Sequence, residues 1–376
     1  MYTYRIIIIC GILYANLLAA HRPPGLVLKK VELDLGSAET AAIADINKDG
    51  KLDIICGENW YENPTWSKHK FRVLSFENNY IDAFSDLPID VDSDGEIDIV
   101  SATYFDKKLS WYRNPGKSGG MWEETIIDNA GSCEFAFLVD LNNDGKAEEI
   151  LVQYGVHVGT IWYELDRGKF IKHLASPIGY GHGIGSGDIN GDGKADIITP
   201  QGWLEAPIDA YSENWVLHKV FPPEVKSVSF MHVLDINGDG RADIVTGNAH
   251  NYGFYWLEQK LDGSFEQHMI DDSWSQPHAI TRSDLNKDGI PDFLTGKRYM
   301  AHNGKDPGER EPLGVYWYEF NKVGSLKIQW TKHVIDYSSR AGGGMQIAVG
   351  DFDSDGYLDF VTPGKSGLFL FKQSKK

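Results

Sequence analysis

Cysteine is almost missing from this chain. Its 376 residues hold three, at positions 10, 56 and 133, so no disulfide framework carries the fold, and Cys56 and Cys133 read as free thiols. Basic runs are missing too. With 36 Lys and Arg against 54 Asp and Glu, a net charge of −18 and a pI near 5.0, the surface excludes nucleic acid as a partner. There is no nucleophile elbow, Gly-rich phosphate loop or Cys-His pair, which disfavours acyl and phosphoryl transfer. No Asn-x-Ser/Thr sequon occurs. Past the first 20 residues no apolar run is long enough to span a membrane. Those 20 residues carry Arg5, the apolar stretch Ile6 to Leu18, then Ala19 and Ala20. They read as a secretory signal peptide cleaved near residue 20, which predicts a secreted protein, extracellular or periplasmic.

What the chain has is a repeat. A loop of the form Asp-x-Asp/Asn-x-Asp-Gly-x-x-Asp/Glu begins at Asp45, Asp90, Asp140, Asp188, Asp235, Asp284 and Asp351, in steps of 45, 50, 48, 47, 49 and 67 residues. That period marks a propeller or solenoid. The oxygen-bearing side chains fall on alternate residues around a Gly turn: Asp45, Asn47, Asp49 and Asp53 in the first copy, then Asp90, Asp92, Asp94 and Asp98. The third has Asp140, Asn142, Asp144 and Glu148, and the fourth Asp188, Asn190, Asp192 and Asp196. The last three are Asp235, Asn237, Asp239 and Asp243; Asp284, Asn286, Asp288 and Asp292; and Asp351, Asp353, Asp355 and Asp359. Alternating oxygens suit calcium, as in the first half of an EF-hand loop, but the closing carboxylate comes at the ninth position rather than the twelfth. Seven divalent ions would add +14 to the net charge of −18 and leave about −4.

Each loop lies between β-branched runs and so joins two strands. In the first repeat the four strand-like runs are Ala41 to Ile46, Leu52 to Cys56, Trp60 to Glu62 and Phe71 to Phe76. Aromatic tags recur on the third run (Trp111-Tyr112, Trp162-Tyr163, Tyr316-Trp317-Tyr318), with Lys/His-rich edges such as Lys172-His173 and Lys332-His333. Four antiparallel strands per repeat predict an all-β, seven-bladed β-propeller in one domain over residues 21–376, its aromatics packed between blades. After Asp351 only three strands fit, so Leu26 to Leu33 is expected to supply the fourth and close the ring.

The stretch Asp-Ile-Asn-Gly-Asp-Gly-Lys-Ala-Asp-Ile-Ile at 188 to 198 resembles the FG-GAP/VCBS repeat family, whose propellers serve in adhesion, in glycan binding and in a few carbohydrate lyases. Gly181-His182-Gly183-Ile184-Gly185 and Gly296-Lys297-Arg298-Tyr299-Met300-Ala301-His302-Asn303-Gly304 are similar to the propeller domain of aldos-2-ulose dehydratases. That resemblance implies elimination of water from a keto-sugar and a zinc ion in the propeller. Here the chain ends at Lys376, without the cupin domains such enzymes append.

Propeller topology puts the acidic loops on one face and the histidines on the other. His182 and His278 each lie six residues before a loop Asp, and His232 three before one; His157, and His250 with Tyr252, follow second strands. The segment Lys297 to Leu313, with Arg298, Tyr299, His302 and Asp306, accounts for the 67-residue step and reads as a functional loop. His182, His232 and His278 are candidate ligands for zinc or another divalent metal. In an enzyme, a metal-assisted β-elimination on a sugar or uronate would draw its acid–base and anion-stabilising groups from Tyr299, Tyr252, His250, His302, Lys297 and Arg298. In a non-catalytic propeller, the same rim would hold a glycan or a protein.

Overall fold

The computed structural model describes residues 26–36, 38–323 and 327–375; the expected leader lies outside them. The chain is all-β, folded as antiparallel four-stranded units in a propeller arrangement. Five units stand as separate sheets, and an eight-stranded sheet joins two more through a parallel pairing of Ile184–Gly187 with Phe230–Leu234. A two-strand hairpin, Phe76–Glu77 with Tyr80–Ile81, is added after the first unit. No helix among the described residues is long and apolar enough to cross a membrane.

In the first unit the strands are Ala42–Ala44, Asp53–Cys56, Asn59–Glu62 and Ser67–Lys70. The fourth differs from the expected Phe71 to Phe76. Trp60 pairs with His69 across the last two strands and stacks on it at 4.2 Å, so the strand ends before Phe71, whose ring is fully buried against Trp122. The predicted closure holds with a one-residue shift: Val27–Asp34 runs antiparallel to Leu368–Ser374 and covers the edge of the last sheet. The core lies between neighbouring sheets. Val100 and Leu109 of the second unit, for example, pack with Ile150, Ile161 and Tyr163 of the third. Cys56 and Cys133 are buried free thiols.

Each acidic loop is built by its own side chains. In the first, Asp49 N and Gly50 N donate to the two Asp45 oxygens at 3.0 and 2.9 Å. Gly50 sits at φ 85°, where a Cβ would be strained. The ninth residue turns inward. Asp53 is buried and accepts Ile46 N at 3.0 Å and Asn63 N at 2.9 Å; Asp98, Asp196, Asp243 and Asp359 each pin two backbone amides in the same way. Burial pushes Asp53, Asp98, Asp196 and Asp359 up to about 6, and Asp243 and Asp292 up to about 7.

The third loop corrects the sequence pattern. Glu149, not Glu148, pairs opposite Val139 and accepts Leu141 N at 3.0 Å. The turn is one residue longer there, which swings Glu148 outward to 3.7 Å from Lys146 and lets the longer Glu149 side chain take the inward place. Its carboxyl is pushed up to about 7 by burial.

Candidate metal centre

At the end of the propeller opposite the acidic loops, one register position recurs. The residue six before the loop Asp is Glu39 in the first repeat, Glu134 in the third, His182 in the fourth and His278 in the sixth. Each stands where a first strand begins at the channel mouth. His182 reaches it between Gly181 and Gly183, both at positive φ; a Cβ on Gly183 would lie 2.4 Å from the Val228 oxygen. That same oxygen accepts the His182 Nδ1 proton at 2.8 Å.

His250, on the loop after the fifth repeat's second strand, completes the group. One donor atom from each of Glu134, His182, His250 and His278 lies within 4.8 Å of all the others. His250 Nε2 is 3.1 Å from His182 Nε2, which is 2.9 Å from Glu134 Oε2. His278 is 0% exposed, and among the described residues neither ring nitrogen has a hydrogen-bond partner; its Nε2 is 3.7 Å from Glu134 Oε1, too long for one. Arg298 closes the back of the group, donating to Glu134 Oε1 at 3.1 Å and Glu39 Oε2 at 2.9 Å.

These contacts set the charges. Burial opposes ionisation of Glu134, but His182 and then Arg298 outweigh it and hold the carboxyl well below its usual range. Burial also opposes protonation of His182, and the Glu134 carboxylate overcomes it, so that ring is raised. His278 is held well below the usual histidine range by burial and then by Arg298. His250 is lowered to about 4, by burial and then by His182. Three imidazoles and a carboxylate, two of the imidazoles neutral, form a donor set suited to zinc or a similar divalent ion. Further along the first strands lies a cavity of about 440 Å³, lined by apolar side chains such as Ile184, Met231, Ile280 and Ile347 together with His232 and Arg282.

The other expected residues are distributed differently. His232 is not in the group: it donates from Nε2 to Ile280 O at 2.8 Å, further down the channel, because it sits three rather than six residues before its loop. Lys297 turns away from the centre and tethers the long loop, donating to Ser275 Oγ at 2.5 Å and Gly308 O at 2.6 Å. Arg298 is buried and committed to two carboxylates. Tyr252 bonds Glu311 at the loop's far end. Tyr299 and His302 stay accessible, and His302 Nδ1 is 2.8 Å from Asp306 Oδ2. The residues missed by sequence reasoning, Glu134 and Glu39, carried a readable signal: the same six-residue offset as His182 and His278.

On the opposite face, the oxygens of Asp90, Asp92 and Asp94, and those of Asp351, Asp353 and Asp355, come within 4.8 Å of one another, without the ninth-position carboxylate. In the other five loops the third position is Asn.

A model of the FG-GAP-like repeat matches residues 90–152, 235–295 and 284–362, about half of the chain, and each match starts on the first Asp of a loop. The chain belongs to the FG-GAP-like repeat family. No curated protein sequence matches it. Among solved structures it is similar to BBS1N, solved in complex with ARL6DN, at 10% identity and TM-score 0.53, covering 93% of this chain and 97% of that one. It also matches the V. cholerae biofilm matrix protein Bap1 at 12% identity and TM-score 0.44, covering 94% of this chain and 89% of that one. A third match is the extracellular domain of a protein described as a hybrid two component system from B. thetaiotaomicron, at 14% identity and TM-score 0.49, covering 92% of this chain and 41% of that one. At these identities the likeness concerns the fold alone.

Proposed function

We propose that this FG-GAP propeller is a metal-dependent enzyme acting on carbohydrate by β-elimination, with its centre at Glu134, His182, His250 and His278. The eight-stranded sheet counts as two blades, making seven. The observation that carries the reading is His278: a fully buried imidazole with two unpartnered nitrogens, set among three other donors from three other repeats. Leaving such a group unsatisfied costs about 1–3 kcal/mol, and a cation would remove that cost. A divalent ion held there supplies Lewis acidity towards a substrate oxygen. Arg298 keeps Glu134 ionised by holding Oε1, which leaves Oε2 2.9 Å from His182 Nε2 and among the donors that would hold the ion. His302, 52% exposed on its side chain, and Tyr299, 39% exposed, would move protons at the mouth in this reading.

The acidic loops are calcium sites in this reading. Their first, third and fifth positions supply the ligands, and the inward ninth carboxylate stiffens the turn. Tyr104 and Tyr299, 38% and 39% exposed, favour a second reading in which the mouth holds a glycan without chemistry.

The test is metal content by mass spectrometry on protein purified without chelator, together with absorbance of unsaturated product on keto-sugars and uronate polysaccharides. One transition ion per chain with product supports the enzyme. Calcium with no second metal and no product on any substrate supports the binding reading.

A further inference from the structure

The long loop of the sixth repeat crosses the channel mouth and is tied down on its far side by residues of other repeats. Lys365 Nζ donates to Met300 O at 2.8 Å, Tyr80 Oη donates to Ala301 O, and Asn303 exchanges side-chain hydrogen bonds with Asn78 at 2.8 Å and Asn79 at 3.1 Å. On the near side Lys297 holds Gly308. Between these ties the loop lowers Asp306 to the metal centre. Its Oδ2 is 3.1 Å from His250 Nδ1 and 2.8 Å from His302 Nδ1, and the two rings stack at 4.5 Å.

His182 and His250 face each other through Nε2 atoms 3.1 Å apart, so at most one can carry a proton there. A carboxylate only accepts, so the 3.1 Å contact to Asp306 requires the His250 proton on Nδ1. In the neutral ring the Nε2 lone pair is then left facing His182, His278 and Glu134. Asp306 is thus the acceptor that holds the His250 proton on the Nδ1 side, and a protonated Nε2 cannot bind a metal.

We propose that Asp306 is the positioning residue of the centre: it fixes the His250 tautomer and ring direction and thereby presents Nε2 to the metal. The proposal rests on the metal reading above but makes its own claim about the metal-free protein. A second cation among His250, His302 and Asp306 is disfavoured, because both Nδ1 atoms address one Asp306 oxygen at hydrogen-bonding distance and a cation there would displace both protons. Since the loop is tied at Met300, Ala301, Asn303 and Gly308, Asp306→Ala should leave its path intact.

The experiment uses the full chain, calcium-loaded and free of transition metal, with isotope-labelled histidine. The imidazole nitrogen shifts of His250, assigned by their loss in His250→Gln, report the tautomer. The expected result is a proton on Nδ1 in the wild type and loss of that preference in Asp306→Ala. Zn²⁺ affinity, measured against a competing chelator, should fall about 10–100-fold in Asp306→Ala, and far less in His302→Ala. A wild-type His250 protonated on Nε2, or a tautomer and affinity unchanged in Asp306→Ala, overturns the proposal. So does a stoichiometry of two Zn²⁺ per chain that drops to one in His302→Ala. If the wild type takes up no Zn²⁺ the metal reading fails, and the tautomer measurement still decides the role of Asp306.

Discussion

The two faces of this propeller are made in opposite ways. On the loop face one kind of turn recurs, built from neighbours in sequence and one residue longer in the third copy: Asp45 bonds residues four and five ahead of it, and Asp53 reaches back seven. On the histidine face one register recurs, but its side chains differ and meet partners far away in sequence. Arg298 meets Glu39 across 259 residues and Glu134 across 164, and His182 meets His250 across 68. Local repetition distributes stability around the ring, and a chemical site arises only where the repeats differ at one shared register.

Even the repeated face holds a variation. Where the third loop position is Asn, the third strand carries a Glu, and that Glu meets a histidine on the fourth strand: Glu62 with His69, Glu164 with His173, Glu205 with His218, Glu258 with His268 and Glu319 with His333. In the two loops with a third Asp, the same place holds a cation, Arg113 at 2.6 Å from Asp92 and Lys372 at 2.6 Å from Asp353. Two adjacent carboxylates repel, so an acid at one position excludes an acid at the other.

The sharpest way to break the contrast between faces is to delete its unique half. His182→Ala and His278→Ala are expected to abolish turnover and release the transition metal, leaving the calcium-dependent melt nearly intact; metal per chain and Tm, measured on the same sample, check this. Next in size, removing calcium from the loop face should lower Tm by roughly 10 °C or more, because seven acidic loops then repel internally and lose a ligand bound only by the folded state. An unchanged melt in excess chelator would count against calcium as a folding ligand.

A smaller effect separates the channel interior from both faces. Burial lowers His232 to about 4 from an ordinary 6.5, so its neutral ring contributes stability above 6.5 that is lost as the pH falls towards 4. His232→Gln should therefore lose less Tm than the wild type between those pH values; equal acid slopes would show that His232 is not responsible. The smallest effect lies within the loops. Arg113→Glu should cost about 1 kcal/mol or less in chelated protein, and Asp92→Asn with Arg113→Glu should recover it, because the pair then matches the Asn and Glu class. Additive losses in a double-mutant cycle would refute the charge pairing.

Much of the architecture was legible from the Asp pattern and its period. The loops, the strands flanking them, the closing N-terminal strand and the opposed histidine rim all follow from alternation and spacing. The strand boundary at Phe71 was not, because it depends on the cross-strand Trp60–His69 stack, nor was the inward turn of Glu149, because one extra residue shifts the pairing register. The site was half legible. His182 and His278 stood out as histidines, whereas Glu134 at the same offset looked like one more acid in an acidic chain.

By itself, then, the order of residues determined most of what acts over a turn or a strand: a carboxylate that must accept nearby amides, a glycine that must take positive φ, and a pleat that must alternate. Tertiary structure alone decided the rest. Whether Arg298 is free for a ligand or spent on Glu39 and Glu134, whether Lys297 points to the centre or to Gly308, and which histidines converge all depend on bringing distant repeats around one axis. Their charges and hydrogen bonds are settled by burial and by partners that no local stretch of sequence contains.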